Sequence, residues 1–152
     1  MNSLKQIIII SFISIFLGFI CNVVNPNKIE WTGEIINVVE TGSKILSLKE
    51  THNYFKAKEA IFLDARYPGA FNEGHIPGAV NLPVDLFEQY YSGIDKKIDE
   101  NDSLIIYCTG PDCHFSATLA EILTDYGYKK IMLFEGGIIT WEEAGFPIEK
   151  AH

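Results

Sequence analysis

Apolar residues along this chain gather in short dense blocks, separated by charged and turn-forming stretches. Leu104-Ile105-Ile106-Tyr107 is one block, Ala60-Ile61-Phe62-Leu63 another, and Lys130-Ile131-Met132-Leu133-Phe134 a third. Runs of this length without polar alternation are the pattern of strands buried on both faces. Residues 80–82 add a shorter strand and residues 45–48 an edge strand. Between the blocks the spacing becomes helical. From Ser116 it continues through Leu119, Ala120, Ile122, Leu123 and Tyr126 to a stop at Gly127. Pro83 opens a helix over 84–91, with Leu86, Phe87, Tyr90 and Tyr91 as its buried face. Ser47 with Glu50 forms a capping-box pattern for a helix through Tyr54, Phe55 and Ala57. A last short helix surrounds Trp141 and ends at Gly145, while 67–74 is polar and turn-rich and receives no element. Strands alternating with helices predict an α/β fold on a parallel sheet.

The first block differs from the rest. Residues 7–24 contain no charge over 18 positions, and Lys5 precedes them. About 20 apolar residues span a bilayer, so this run predicts one N-terminal transmembrane helix. In Gly18-Phe19-Ile20 before Cys21 the bulky Ile20 fits a cleavage site poorly, which favours an uncleaved anchor over a signal. Lys5 and the amino terminus place the start of the chain inside, hence a single-pass protein with an extracytoplasmic domain. The organisation expected is an anchor (or signal) over 1–25, a linker and first extended segment over 26–43, and a domain over 44–150. Trp31 in the linker has no assigned role.

Charge narrows the partners. Of the 12 basic residues only Lys5 lies in the first 25 positions, so the remainder carries 11 basic against 20 acidic groups, a formal −9. Such a surface argues against nucleic acid and against docking on anionic lipid. Three cysteines are too few for a disulfide framework. The four histidines, at 52, 75, 114 and 152, show no metal-site spacing, and Arg66 is the one arginine.

The candidate chemistry lies after the 104–107 block. Cys108 stands at the carboxyl end of that strand, and Thr109, Gly110, Pro111, Asp112, Cys113 and His114 lead from it into the helix begun by Phe115 and Ser116. Ligands of open α/β sheets bind at this edge. A helix N-terminus also lowers a cysteine pKa from ~8.5 toward ~3.5–7.5, which makes a nucleophilic thiolate available. Cys113 is open between a resolving thiol and a bland loop residue. His114 is open between a thiolate-stabilising neighbour and a solvated side chain. Asp112 is expected to face solvent, where it does not repel an anionic substrate. Asp64 and Arg66 close another strand and read as an ion pair or loop hydrogen bonds that brace the site. His75 in Gly74-His75-Ile76-Pro77-Gly78 serves the turn through its ring. Gly136 and Gly137 allow a tight turn beneath the active loop, and Trp141 is core.

Four landmarks now stand in order: Phe62-Leu63-Asp64-Ala65-Arg66; Gly74 through Pro83 (GHIPGAVNLP); Ile105-Ile106-Tyr107-Cys108; and Phe134-Glu135-Gly136-Gly137 followed by Trp141, Ala144-Gly145 and Pro147. From about 47 to 149 the chain resembles the rhodanese-like domains. The resemblance implies a five-stranded parallel sheet with helices on both faces, and a cysteine at the end of the central strand that carries a persulfide during sulfur transfer. Cys108 matches that cysteine. The family commonly places an arginine five residues on and a Ser or Thr next, whereas here Cys113 and then Ser116, eight residues on, hold those places. The loop thus resembles a Cys-x-Gly-Pro-x-Cys variant of exported or membrane-tethered members. The lost cation puts thiosulfate in doubt as the donor.

The expected activity is a sulfurtransferase, taking a sulfane sulfur from a persulfide, polysulfide or thiosulfate onto Cys108 and passing it to a thiol acceptor. Loop amides between Thr109 and His114 would hold the anion in place of the arginine. No metal and no organic cofactor is implied. Two alternatives stay open: a thiol–disulfide redox protein using Cys108 and Cys113, and a non-catalytic rhodanese-like binding module. A phosphatase is disfavoured, since no arginine follows Cys108 to grip phosphate.

Overall fold

The computed structural model describes residues 10–14, 16 and 42–151. The chain divides into two units, 1–35 and 36–152. In the first unit, residues 10–14 and 16 are helical and exposed. The rest of the 7–24 run and nearly all of the 26–43 linker, Trp31 included, lie outside the described residues. No helix among the described residues is long and apolar enough to cross a membrane.

The second unit alternates strands and helices as the pattern predicts. Its elements are β1 (Lys44–Ile45), α1 (Leu48–Ala57), β2 (Ile61–Asp64), α2 (Pro68–Glu73), β3 (Val80–Asn81), a 3-10 turn (Val84–Leu86) running into α3 (Phe87–Ile94), β4 (Ser103–Tyr107), α4 (Phe115–Asp125), β5 (Lys130–Phe134) and α5 (Gly137–Glu143). The five strands form one sheet in the order β1-β5-β4-β2-β3. Every pairing is parallel. β4 is central because its four apolar residues can be buried on both faces at once. Phe62 and Met132 flank Ile105, and Leu63 and Leu133 flank Ile106.

Successive strand residues point to opposite faces, and the two cores follow that alternation. Leu104 and Ile106 join Leu63 and Leu133 in a cluster with Phe87 of α3 and Leu119, Ala120 and Leu123 of α4. Ile105 and Tyr107 join Phe62, Phe134, Ile138 and Trp141 in the other, beneath α1 and α5. Helices therefore cover both faces. Each fully buried aliphatic side chain of this kind contributes ~1.5–3 kcal/mol. Trp141 also donates its indole N–H to the Pro147 carbonyl at 2.9 Å, which pins the last turn of chain to the core.

The capping box forms as expected. Ser47 Oγ accepts from the Glu50 amide, and Glu50 Oε2 accepts from the Ser47 amide at 2.9 Å. Lys44 donates to Glu50 at 2.8 Å, and this bond, with those from Ser47, holds the Glu50 carboxyl well down, at about 2. Three local expectations are corrected. The edge strand covers only Lys44–Ile45, since the Ser47 cap starts a helix at Leu48. The helix placed over 84–91 is a 3-10 turn followed by an α-helix at 87–94, so its phase starts at Phe87 and Leu86 is 36% exposed rather than buried. The segment 67–74 contains the helix α2, which Pro68 opens at its first position.

Candidate active site

Cys108 is the first residue past β4, and only 2% of it is exposed. Its sulfur is bonded to that of Cys113, with the two Cα atoms 6.2 Å apart. The loop between them is a tight turn in which the Cys113 amide donates to the Gly110 carbonyl at 3.0 Å. That bond and the fixed φ of Pro111 swing Cys113 back toward the strand end. The Thr109 hydroxyl stands 3.9 Å from Cys108 Sγ. Thr109, Asp112 and His114 are exposed, Gly110 is buried and Cys113 is half-buried. Asp112 thus faces solvent as expected. His114 is the cap residue of α4 but makes no side-chain cap bond. The amides of Phe115 and Ser116 in the first helical turn have no intrahelical acceptor, so they and the helix dipole favour an anion here.

The start of α5 forms the floor of the loop. Ile138 N–H donates to the Cys108 carbonyl at 2.9 Å, and Ile139 N–H to that of Thr109 at 3.1 Å. Such contact between two backbones requires Gly137. Its φ is +61°, and a Cβ there would lie 2.5 Å from the Cys108 carbonyl oxygen and 2.7 Å from the Gly110 nitrogen. A shallow depression of about 310 Å³ opens over the loop, lined by Thr109, Gly110, Pro111, Asp112, Cys113 and Ile139. Cys113, not Cys108, lines it.

Asp64, Arg66 and His75 lie at the neighbouring end of β2 and brace it. Arg66 Nε lies 3.0 and 3.1 Å from the two Asp64 carboxylate oxygens, and Nη2 donates to Oδ2 at 2.7 Å and to the Gly74 carbonyl at 2.7 Å. Burial pulls the guanidinium's pKa down, but the bonds and charge of Asp64 outweigh it and leave it raised. Asn81 Nδ2 donates to the Asp64 and Arg66 carbonyls at 3.0 and 2.8 Å. Tyr107 accepts from the Ile76 amide at 3.1 Å, and burial first, then the Asp64 charge, pushes its phenol up. His75 Nδ1 pairs with the Phe71 carbonyl at 2.9 Å, which is the turn-serving role expected of it. The one arginine is therefore spent inside the fold. No Lys or Arg occurs between 108 and 116.

The structure brings Cys108, Cys113 and the Thr109–Asp112 turn together, with Phe115 and Ser116 at the helix mouth. Asn81, Tyr107 and Ile139 carry no site role that their residue types alone announce. Asn81 and Tyr107 lay within the landmark runs, so the order of landmarks held a signal for them; Ile139 had none. Among the described residues no cluster of His, Cys, Asp or Glu side chains is arranged to hold a metal.

The profile of the rhodanese-like domain matches residues 47–144, a span that contains this loop, its glycine floor and the β2 brace. The chain belongs to the rhodanese-like domain family. Sulfurtransferases are among its homologues: one from Allochromatium vinosum is 29% identical over 114 residues, covering 75% of this chain and 95% of that protein. A tRNA uridine(34) hydroxylase from Hamiltonella defensa is 32% identical over 111 residues, covering 71% of this chain. The chain spans only 30% of that hydroxylase's length. The BH2092 protein of Bacillus halodurans has the same fold, with a TM-score of 0.61 at 23% identity over 71% of this chain and 76% of its own.

Proposed function

We propose that this rhodanese-like protein is a sulfurtransferase in which Cys108, once reduced, accepts a sulfane sulfur as a persulfide and passes it to a thiol. The observation that carries the reading is the placement of Cys108. It closes the central strand, its carbonyl is held by α5, and the loop after it ends at the uncapped N-terminus of α4. A thiolate there gains from the helix dipole and first-turn amides. The Cys108 thiolate attacks the outer sulfur of a donor R–S–SH, the donor S–S bond breaks, and R–S⁻ leaves. A second thiol then takes the sulfur and regenerates Cys108.

The preferred donors are persulfides and polysulfides rather than thiosulfate. Thiosulfate is a dianion, and Arg66 is committed to Asp64 and Gly74. A second reading, thiol–disulfide exchange by Cys108 and Cys113, is favoured by the bond between them. The tRNA that names the hydroxylase is not carried over to this chain, whose net charge of −8 opposes a polyphosphate. The uncharged 7–24 run supports anchoring in a membrane, and the paired cysteines suit an oxidising, extracytoplasmic compartment.

Intact mass after exposure to glutathione persulfide tests the reading. The reduced chain should gain one sulfur atom and Cys108→Ser none, because a serine hydroxyl cannot carry sulfane sulfur. Thiosulfate outrunning glutathione persulfide in the parent would overturn the donor assignment, and sulfur transfer surviving in Cys108→Ser would overturn the nucleophile.

A further inference from the structure

We propose that the pair converts the sulfane sulfur into free sulfide: Cys113 resolves the Cys108 persulfide, and the protein is a persulfide reductase that an external dithiol must recharge. The proposal rests on the sulfur-transfer reading above and adds a fate for the sulfur. Three observations carry it. The Cys113 sulfur reaches bonding contact with Cys108 Sγ while β4, the turn and α5 keep their hydrogen bonds. Cα atoms 6.2 Å apart fall within the usual disulfide range of ~4.4–6.8 Å, so the backbone positions already suit the oxidised product. Finally, the two sulfurs differ in access, with Cys108 almost fully covered and Cys113 facing the depression over the loop.

Cys113 releases its proton to solvent, and its thiolate attacks Cys108 Sγ, the inner sulfur of the persulfide. The bond from Cys108 Sγ to the sulfane sulfur breaks, and HS⁻ leaves with the electron pair. The two cysteines are together oxidised by two electrons and the sulfane sulfur is reduced by two. Recharging begins where a reductant can enter. A thiolate of the external dithiol attacks Cys113 Sγ from the depression and expels Cys108 as the thiolate, the form that the uncapped start of α4 favours. The second thiol of the reductant then closes on the first, freeing Cys113 and carrying the two electrons' worth of oxidation away. Cys108 is thereby regenerated ready for another donor, with the reductant entering at Cys113.

A single turnover tests this with the full-length chain in a non-ionic detergent. The chain is reduced, freed of reductant, and given one equivalent of a tertiary-alkyl persulfide, whose hindered thiol product is a poor acceptor. The parent should release one sulfide per chain with no added thiol, and its mass should then show two hydrogens lost. Cys113→Ser and Cys113→Ala should both halt one sulfur atom heavier and release sulfide only when a thiol is added. A parent that holds its persulfide as long as those variants overturns the resolving role while leaving sulfur transfer intact. Failure of parent and both variants to take up sulfur, with folding confirmed by circular dichroism, overturns both readings.

Discussion

Replacing Gly137 by alanine tests the link between the fold and the loop that follows Cys108. The substitution carries two costs. A non-glycine residue in the left-handed region costs ~1–2 kcal/mol. In addition, the new Cβ would lie 2.5 Å from the Cys108 carbonyl oxygen, 2.6 Å from the Thr109 carbonyl carbon and 2.7 Å from the Gly110 nitrogen. All three are backbone atoms that cannot rotate aside. The loop must retreat, which weakens the bonds from Ile138 and Ile139 to the Cys108 and Thr109 carbonyls, each worth ~1 kcal/mol. The sum is about 3–4 kcal/mol, or a fall in Tm of roughly 10–20 °C for a domain of this size. Gly145→Ala is the control, since φ is +73° there and nothing lies within 4 Å of a Cβ, so only the conformational cost of ~1–2 kcal/mol applies. Thermal denaturation of both variants isolates the clash as the difference between them. If Cys108 transfers sulfur as proposed, that activity in Gly137→Ala, measured below its new Tm, should fall about tenfold or more, because displacing a reacting group by ~1 Å can cost ~100-fold. Equal destabilisation of the two variants, with Cys108 as reactive as before, would refute the claim that α5 fixes the loop.

Arg66→Met should cost ~3–5 kcal/mol in urea denaturation, because it strands the fully buried Asp64 carboxylate, and adding Asp64→Asn should recover part of that loss. Ser47→Ala should cost ~1 kcal/mol through the lost cap. The Glu50 carboxyl is held down from 4.5 to about 2, so its charged form stabilises the fold: that contribution is complete above 4.5 and disappears as pH falls toward 2. Glu50→Gln should accordingly be less stable than the parent near neutrality and match it in acid. If residues 7–24 anchor the protein, the full chain stays in the membrane pellet after carbonate washing, and release by carbonate alone would refute the anchor.

The periodic and capped parts of the fold were legible in the sequence. The β4 run could only be buried on both faces, and Ser47 with Glu50 stated a helix start that the structure reproduces. What escaped lacked a period. Helix α2 has six residues, no side-chain cap and no buried residue, so it leaves no hydrophobic stripe to read. Leu86 fits the helical spacing but sits on a 3-10 turn, where three residues per turn rotate it toward solvent. At the site, Cys108 was legible because a strand end fixes its position. Whether Cys113 met it was not, since the outcome turns on the Gly110–Cys113 bond and on side-chain directions in a loop. The depth of the Asp64–Arg66 brace was hidden too, because Asn81 and Gly74 complete it from elsewhere in the sequence.

Cys108 and Cys113 enclose a very short stretch of chain, five positions apart. A cross-link restrains the unfolded chain in proportion to the logarithm of the segment it closes, and for so small a ring that restraint is ~2 kcal/mol, against ~4.7 for a hundred-residue ring. The aromatic and aliphatic cores, the Arg66 brace and the α5 floor are all built without it. Opening the bond thus costs the fold about 2 kcal/mol, less than half of what a hundred-residue cross-link would. If the pair cycles as proposed, the change of oxidation state is a chemical event confined to one loop, set on a sheet whose core and ladder do not run through that bond.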